Sequence, residues 1–293
     1  MNKRTVSDRV FDMFNITLFV IVLIAILYPI YFILIASVSD PNATNSGEVW
    51  LWPVDFSWSG YSAIFSYEMI WKGYQNSLIY AVLGAALSTA ATISGGYALS
   101  RKDLAGRTPI MLFILFTMFF QGGLIPSYIL VKSLGMLDSV WAMIIPGAVT
   151  AFQIIIARTF FQQSIPDELL EASMIDGSNN FSFFFRIVLP LSLPIIAVII
   201  LFNAVAQWNS FFKALIYISS EDLQPLQIIL RRILITNQAS EMMGDLNSAA
   251  EKAKQAELVK YGLVVVASLP MLLLYPFLQK YFVKGIMIGS VKG

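Results

Sequence analysis

The sequence contains no cysteine and no histidine, and few of its residues are charged. Without cysteine the chain has neither disulfides nor thiolate metal sites. Without histidine it lacks the most common metal ligand and the usual proton shuttle. Charged residues make up 13% of the chain and hydrophobic residues 57%, whereas a soluble domain carries roughly 25% charge. Much of the surface must therefore face lipid.

Two further absences narrow the function. The net charge of +1 argues against a nucleic-acid partner, because binding phosphates needs a clustered basic face. No Gly-Lys pair occurs anywhere in the sequence, so the phosphate-binding loop G-x-x-x-x-G-K-[ST] is missing. If the protein pumps, a partner must hydrolyse the ATP.

Six stretches lack Asp, Glu, Lys and Arg and meet or approach the length of a membrane-spanning helix, about 20 residues. They are 13–39, 73–100, 108–131, 139–157, 187–212 and 261–279. The first is too long for the core of a signal peptide, the competing interpretation, so we expect it to be retained. The sequence predicts an all-α membrane protein with six transmembrane helices, divided into a terminus 1–12, a permease domain 13–283 and a tail 284–293.

Basic residues are concentrated in alternate loops, which predicts that both termini are cytoplasmic. On the predicted inner side are Lys3, Arg4, Arg9, Arg101, Lys102, Arg107, Arg158, Arg186, Lys280, Lys284 and Lys292. The short outer connections contain only Lys72 and Lys132. The connection 213–260 also carries charge, but it is long and external, where charge has little effect on topology.

Two other functional classes compete with a partner-driven transporter. A proton-coupled carrier places Asp, Glu or His within its spans, and none occurs there. A secondary carrier for a small polar solute remains the alternative. A membrane enzyme would have to use the four carboxylates of one cytoplasmic loop, which could bind Mg²⁺ or act as acid and base. These are Asp167, Glu168, Glu171 and Asp176, and without His or Cys they make a weak catalytic site.

The loop 164–190 predicts a short helix, a turn and a second helix. Ser164 with Asp167 fits a capping box, and Pro166 suits the first turn. Gly177 suits the left-handed position that ends a helix. Ser178 is the predicted cap of a second helix over 179–188, and Pro190 and Pro194 open the fifth span.

The first helix of this loop mixes acidic and apolar side chains, a combination that suits a groove on a cytoplasmic partner. The apolar residues are Leu169, Leu170, Met174 and Ile175. The alternatives are that the loop is only a connector, or that some of these side chains pack against the chain's own helices.

The same loop resembles the EAA signature of permease subunits in binding-protein-dependent ABC importers: E-A-A, three residues, G, nine residues, I-x-L-P. Here Glu171-Ala172-Ser173 is followed at those spacings by Gly177 and by Ile187-Val188-Leu189-Pro190. Ser173 replaces the second alanine. The resemblance covers nearly the whole chain and is closest to the second permease of carbohydrate importers, in particular those for oligosaccharides and polysaccharides such as alginate.

This resemblance implies a type I importer fold and a set of partners: a second permease, two ATPase subunits and an extracytoplasmic sugar-binding protein. ATP and Mg²⁺ would be bound by the ATPases, and this chain would hold no cofactor or metal. It implies that a coupling helix contacts one ATPase through Leu169, Leu170, Glu171, Ala172, Ser173, Met174, Ile175, Asp176 and Gly177. The tail, with Lys284, Gly285, Gly289, Lys292 and Gly293, would reach between the ATPases.

Polar residues near the end of the fifth span are candidates for the substrate path, since amides and aromatic rings bind sugars. They are Asn203, Gln207, Trp208 and Asn209. Hydrogen bonding between helices is an equally good role for Asn203 and Gln207. In the resemblance to the smaller permease of maltose importers, the part of the external loop over 219–260 matches in position the segment that probes the sugar-binding protein.

Two more patterns carry structural predictions. Gly84, Ser88, Thr92 and Gly96 share one helix face, which predicts close helix packing. An external aromatic group predicts a belt at the membrane interface, with docking of a partner protein as the alternative. The group comprises Trp50, Trp52, Trp58 and Tyr61.

Overall fold

The computed structural model describes residues 6–242, 259–276 and 279, and within these ranges every regular element is a helix. The longest helices are α1 (Val6–Ala36), α4 (Glu68–Ser100) and α15 (Val259–Pro276). The shorter ones are α2 (Pro41–Asn45), α3 (Ser59–Ser66), α5 (Arg107–Phe119), α6 (Leu124–Ser133), α7 (Val140–Ile144), α8 (Ala151–Ser164), α9 (Asp167–Ile175), α10 (Asn180–Phe183), α11 (Leu189–Leu191), α12 (Leu193–Trp208), α13 (Phe211–Tyr217) and α14 (Leu226–Met242). A π-helical segment, Phe184–Val188, joins α10 to α11. The all-α prediction is confirmed.

In the described ranges three helices are long and apolar enough to cross a bilayer, namely α1, α4 and α15. Two bent pairs raise the number of candidate spans to 5: α5 with α6, and Asn180–Leu191 with α12. The stretch 139–157 does not form one helix, because Pro146 and Gly147 separate α7 from α8 and Gly147 has a φ of +74°. The count of six spans therefore stays a prediction.

The predicted third span, 108–131, is not a straight helix. The chain bends by 117° between its two halves, α5 and α6. The break falls at residues 120–123. Gly123 there has a φ of +82°, a conformation that residues with a side chain rarely adopt. Pro126 then lies in the first turn of α6, where its missing N–H costs no helical hydrogen bond.

The small-residue face of α4 packs closely against other helices, as predicted. A Cβ on Gly96 would lie 2.6 Å from Cβ of Ala157 in α8, and one on Gly84 would lie 2.5 Å from Nε2 of Gln207 in α12. Ser88 and Thr92 between them are buried. Small side chains allow this approach, which in lipid is a principal source of helix association.

The chain divides into two compact units, each with its own apolar cluster. Among the described residues, the first unit comprises 6–68, 230–242 and 259–269, and Ile35, Ala43 and Val49 form a cluster in it. The second comprises 69–229, 270–276 and 279. A cluster in it contains Ile93, Ala157, Phe161, Phe183, Val188, Ile195 and Ile199.

Gly96→Ala should lower the thermal stability of the detergent-solubilised protein, because its methyl group would overlap Cβ of Ala157. Overpacking of this kind costs about 1–3 kcal/mol. Gly95→Ala is the matched control in the same helix, because its methyl would meet only the side-chain end of Ile154, with Cδ1 at 3.1 Å. Equal melting temperatures for the two variants would contradict the close contact of α4 with α8.

Candidate functional site

Helix α9 follows α8 after a break of two residues, Ile165 and Pro166. Pro166 is its N-cap and provides no side-chain hydrogen bond, while Asp167 and Glu168 occupy the first turn, where the helix dipole favours acidic groups. The predicted capping box is wrong. Ser164 is the last residue of α8 and so belongs to the preceding helix.

The end of α9 is a Schellman turn at Gly177, which confirms the predicted stop. Gly177 has a φ of +81°. Its N–H donates to the carbonyl of Met174 at 3.0 Å, and the N–H of Ser178 donates to the carbonyl of Ser173 at 2.9 Å. The next helix is capped by the side chain of Asn179, which accepts from the N–H of Ser182, rather than by Ser178 as predicted.

One face of α9 is held against the chain and the other is open. Ser173 is buried and its hydroxyl donates to the carbonyl of Leu170, while the Leu170 side chain packs against the cluster around Phe161. Met174 is 49% exposed and Ile175 is 87% exposed. Leu169, Glu171, Ala172, Asp176 and Gly177 are exposed as well. Of the four apolar residues, Leu170 packs on a core cluster of the described chain, and the other three are exposed there.

Helix α9 is attached to the end of α4 as well as to α8. Nζ of Lys102 lies 2.6 Å from Oδ2 of Asp167, and this hydrogen bond raises the pKa of Lys102 above its ordinary value. The Nε of Arg158 in α8 donates to the carbonyl of Leu99 at 3.1 Å. The start of α9 is thus paired with a residue just beyond α4, and α4 is itself bonded to α8.

Tyr97, Arg101 and Asp103 form a hydrogen-bonded group at the end of α4, which we call the clamp. The guanidinium of Arg101 donates to both oxygens of Asp103, at 2.8 and 2.6 Å, and to the hydroxyl of Tyr97 at 3.2 Å. These bonds raise the pKa of Arg101 and lower that of Asp103. The ring of Tyr97 contacts those of Phe161 and Phe184, with centroids 5.6 and 4.9 Å apart.

An open cavity of about 450 Å³ lies between this clamp and the inner face of α9, bounded by Tyr97, Arg101, Gln162 and Asp167 among others. It contains both acidic and basic groups. The predicted site did not include Tyr97 or Arg101, whose positions beside α9 depend on contacts far apart in the chain.

The residues predicted for the substrate path are mostly buried inside the chain. Oδ1 of Asn203 accepts a hydrogen bond from Nε2 of Gln153 in α8, at 3.0 Å. Gln207 packs on Gly84, and Trp208 makes an edge contact with Tyr74. This geometry favours the interhelical alternative for Asn203. A role in the substrate path stays a prediction for all four residues.

Asn209 is the exposed member of that set, and its side chain donates to the carbonyl of Val205 at 3.0 Å. The sequence prediction missed Gln153, although a glutamine within an apolar stretch was a signal for a polar contact. Three buried atoms of these amides have no hydrogen-bond partner among the residues that the structure describes: Oε1 of Gln153, Nδ2 of Asn203 and Oε1 of Gln207.

The first part of the predicted external loop 213–260 is fixed to the start of α4. Nδ2 of Asn76 donates to the carbonyl of Asp222 at 2.7 Å, and the hydroxyl of Tyr80 donates to the carbonyl of Leu223 at 2.7 Å. Residues 243–258 and the predicted tail 284–293 lie outside the described residues. Hydrogen bonds from Ser220 and Ser219 hold the pKa of Asp138 below its ordinary value.

Comparison with known proteins identifies the family to which this geometry belongs. Residues 104–288 match the family described as binding-protein-dependent transport system inner membrane component. The chain belongs to this family. It is a permease component of such importers and has the type I ABC importer permease fold, as the resemblance of the loop implied.

Three relatives show how far the likeness extends. The permease is 42% identical to the polygalacturonan/rhamnogalacturonan transport system permease protein YtcP of Bacillus subtilis, over 98% of this chain and 100% of the relative. It is 39% identical to protein LplC of the same organism, over 99% and 97%. It also matches the crystal structure of a bacterial ABC transporter involved in the import of the acidic polysaccharide alginate. The TM-score is 0.85 and the identity 31%, with 96% of this chain and 100% of that chain covered.

Ser173→Ala should leave the permease's stability and transport rate close to those of the unmodified chain. The substitution removes only a hydroxyl whose hydrogen bond returns to Leu170 in its own helix. Ser173→Leu should reduce both, because Ser173 is 6% exposed and the space beneath it is occupied. Uptake and melting temperature measured side by side test this. A folded Ser173→Ala variant without transport would instead assign a direct role to the hydroxyl.

Proposed function

We propose that the chain is one of two permease subunits of an ATP-driven importer whose cargo is an oligosaccharide or polysaccharide. Its family supports the transport role. The names of the relatives that transport polygalacturonan/rhamnogalacturonan and alginate support a sugar polymer as cargo. In this proposal six spans cross the inner cell membrane, both termini are cytoplasmic, and an extracytoplasmic binding protein delivers the sugar.

The single observation that carries the mechanism is the exposed apolar end of α9. Ile175 is 87% exposed beside Met174, although both are apolar. Burying a side chain such as isoleucine stabilises a contact by about 1.5–3 kcal/mol. A groove on an ATPase subunit would bury both, and Glu171 would make a charged contact at its rim.

The attachment of α9 supports a role as a lever. Its inner face is fixed by Leu170 and Ser173, and its start is tied to α4 through Lys102. A push on α9 would therefore move α8 and α4 together, since these helices are in close contact at Gly96 and Ala157. Rigid-body movement of packed helices is a common way to switch access across a membrane protein.

The remaining parts of the proposal come from the resemblance. The tail from Lys284 to Gly293 would contact the ATPases, and ATP and Mg²⁺ would be bound there and not by this chain. The external segment 219–260 would meet the binding protein. Asn209 is the exposed candidate for the substrate path, and Asn203 and Gln207 would act there only if the helices part.

Ile175→Ser should weaken binding of the ATPase without unfolding the permease, because Ile175 has few contacts in its own chain. In mild detergent, the unmodified chain should co-purify with a second permease and an ATPase. The variant should keep the second permease and lose most of the ATPase. Leu170→Ala is the control: it should lower the melting temperature, since Leu170 packs on the core. A secondary carrier, the alternative function, would purify without an ATPase.

Gly177→Ala should reduce import more than ATPase binding, because alanine at a φ of +81° costs about 1–2 kcal/mol and would change the angle at which α9 ends. Gly106→Ala is the matched control. Gly106 has a φ of +80°, and at both glycines no atom of another described residue beyond the chain neighbours lies within 4 Å of the place that a Cβ would take. Equal import by the two variants would show that the turn after α9 has no special role.

A further inference from the structure

The connection between α2 and α3 carries a group of exposed apolar side chains. Trp50, Leu51, Trp52 and Phe56 are between 58% and 77% exposed. No charged residue occurs between Glu48 and Asp55. We refer to residues 47–56 as the tryptophan loop. Nothing in the proposed import mechanism accounts for this surface.

Both ends of the tryptophan loop are fixed to the end of α1. Val49 is 3% exposed and packs with Ile35 and Ala43. At the far end, the N–H of Asp40 donates to the carbonyl of Val54 at 2.9 Å. The exposed side chains are therefore held in place by a small core and are not the result of a loose loop.

The loop folds back along α1 instead of extending beyond its end. The hydroxyl of Tyr28 donates to the carbonyl of Trp50 at 3.3 Å, and the hydroxyl of Tyr31 donates to the carbonyl of Leu51. Because α1 ends at Ala36 and a helix rises 1.5 Å per residue, Tyr31 and Tyr28 lie about 8 and 12 Å back from that end.

This position coincides with the edge of the membrane core. Crossing the hydrocarbon takes about 20 residues, which, counted from Met13 after the charged Asp12, ends near Phe32. Three apolar side chains of α1 at the same level, Ile26, Leu27 and Ile30, are each at least half exposed. The apolar surface of the tryptophan loop is thus continuous with that of a membrane-spanning helix.

The indole N–H and the carbonyl of Trp50, and the carbonyl of Leu51, are paired within the chain. The indole N–H of Trp50 donates to the carbonyl of Gly47 at 2.5 Å, and the two tyrosines satisfy the carbonyls of Trp50 and Leu51. In hydrocarbon each unpaired polar group costs several kcal/mol, whereas in water no such pairing is required. Internal pairing therefore suits a loop in contact with lipid.

We propose that the tryptophan loop is a membrane anchor, in which Trp50, Leu51 and Trp52 lie in the interfacial region of the lipid leaflet at the C-terminal end of α1. Glu48 and Asp55, near the two ends of the loop, stay in water. Tryptophan favours this region because its ring is apolar and its N–H is polar. The anchor would fix how deep α1 and the first unit's apolar cluster lie in the membrane. This role does not depend on which cargo is carried or which ATPase is bound.

Site-directed spin labelling tests the anchor, since the chain has no cysteine of its own. Trp52→Cys and the matched control Glu48→Cys are labelled with a nitroxide in the assembled complex in phospholipid vesicles. The same complex with the unsubstituted chain is the blank, because any label bound to it is attached to the other subunits. We expect the label at residue 52 to be several-fold more accessible to oxygen than to a water-soluble nickel chelate, and the label at residue 48 to show the reverse.

Two results would overturn the anchor. Equal access of the nickel chelate at both positions would place residue 52 in water, and shielding from both reagents would show that another protein covers the loop. Where Trp52→Cys fails to assemble, tryptophan quenching by lipids with brominated acyl chains replaces it. Trp52→Phe should then remove part of the quenched emission, and unchanged quenching would also contradict a membrane contact.

Discussion

The close approach of α4 to α8 and α12 is the contact on which the rest of the second unit depends. Gly96 meets Ala157, and Gly84 meets Gln207, at distances that leave no room for a Cβ. Helices gain little from the hydrophobic effect once they are in lipid, so such packing has to hold them together. Because α8 leads directly into α9, the same contact positions the helix that we propose to meet the ATPase.

Polar contacts join the same helices in two places, inside the packed region and at the helix ends. Inside, Gln153 and Asn203 join α8 to α12 by a hydrogen bond, and three further amide atoms there find no partner within the described part of the chain. At the helix ends, Lys102 and Arg101 form ion pairs with Asp167 and Asp103. These contacts link α8 to α12 and the start of α9 to the residues that follow α4.

Most of the local structure around α9 follows from short-range chemistry, and the errors come from competing caps. Gly177 was predictable because few other residues adopt a positive φ. The predicted start of α9 was wrong because Ser164 is the last residue of α8. The capping pattern from Ser164 to Asp167 is the same whether the serine ends one helix or begins the next. Similarly, Asn179 and Ser178 are both good caps, and only the structure shows that Asn179 accepts the hydrogen bond.

The sequence by itself determined that the chain is helical, that it lies in a membrane and that a turn follows Ile175, because hydropathy and backbone preference act over a few residues. Tertiary structure decided which apolar side chains remain open. Leu170 and Ile175 are equally apolar, yet Leu170 packs near Phe161 and Phe183 while Ile175 is exposed. It also decided where the spans bend. Burial depends on neighbours that are distant in the chain, and no local pattern contains them.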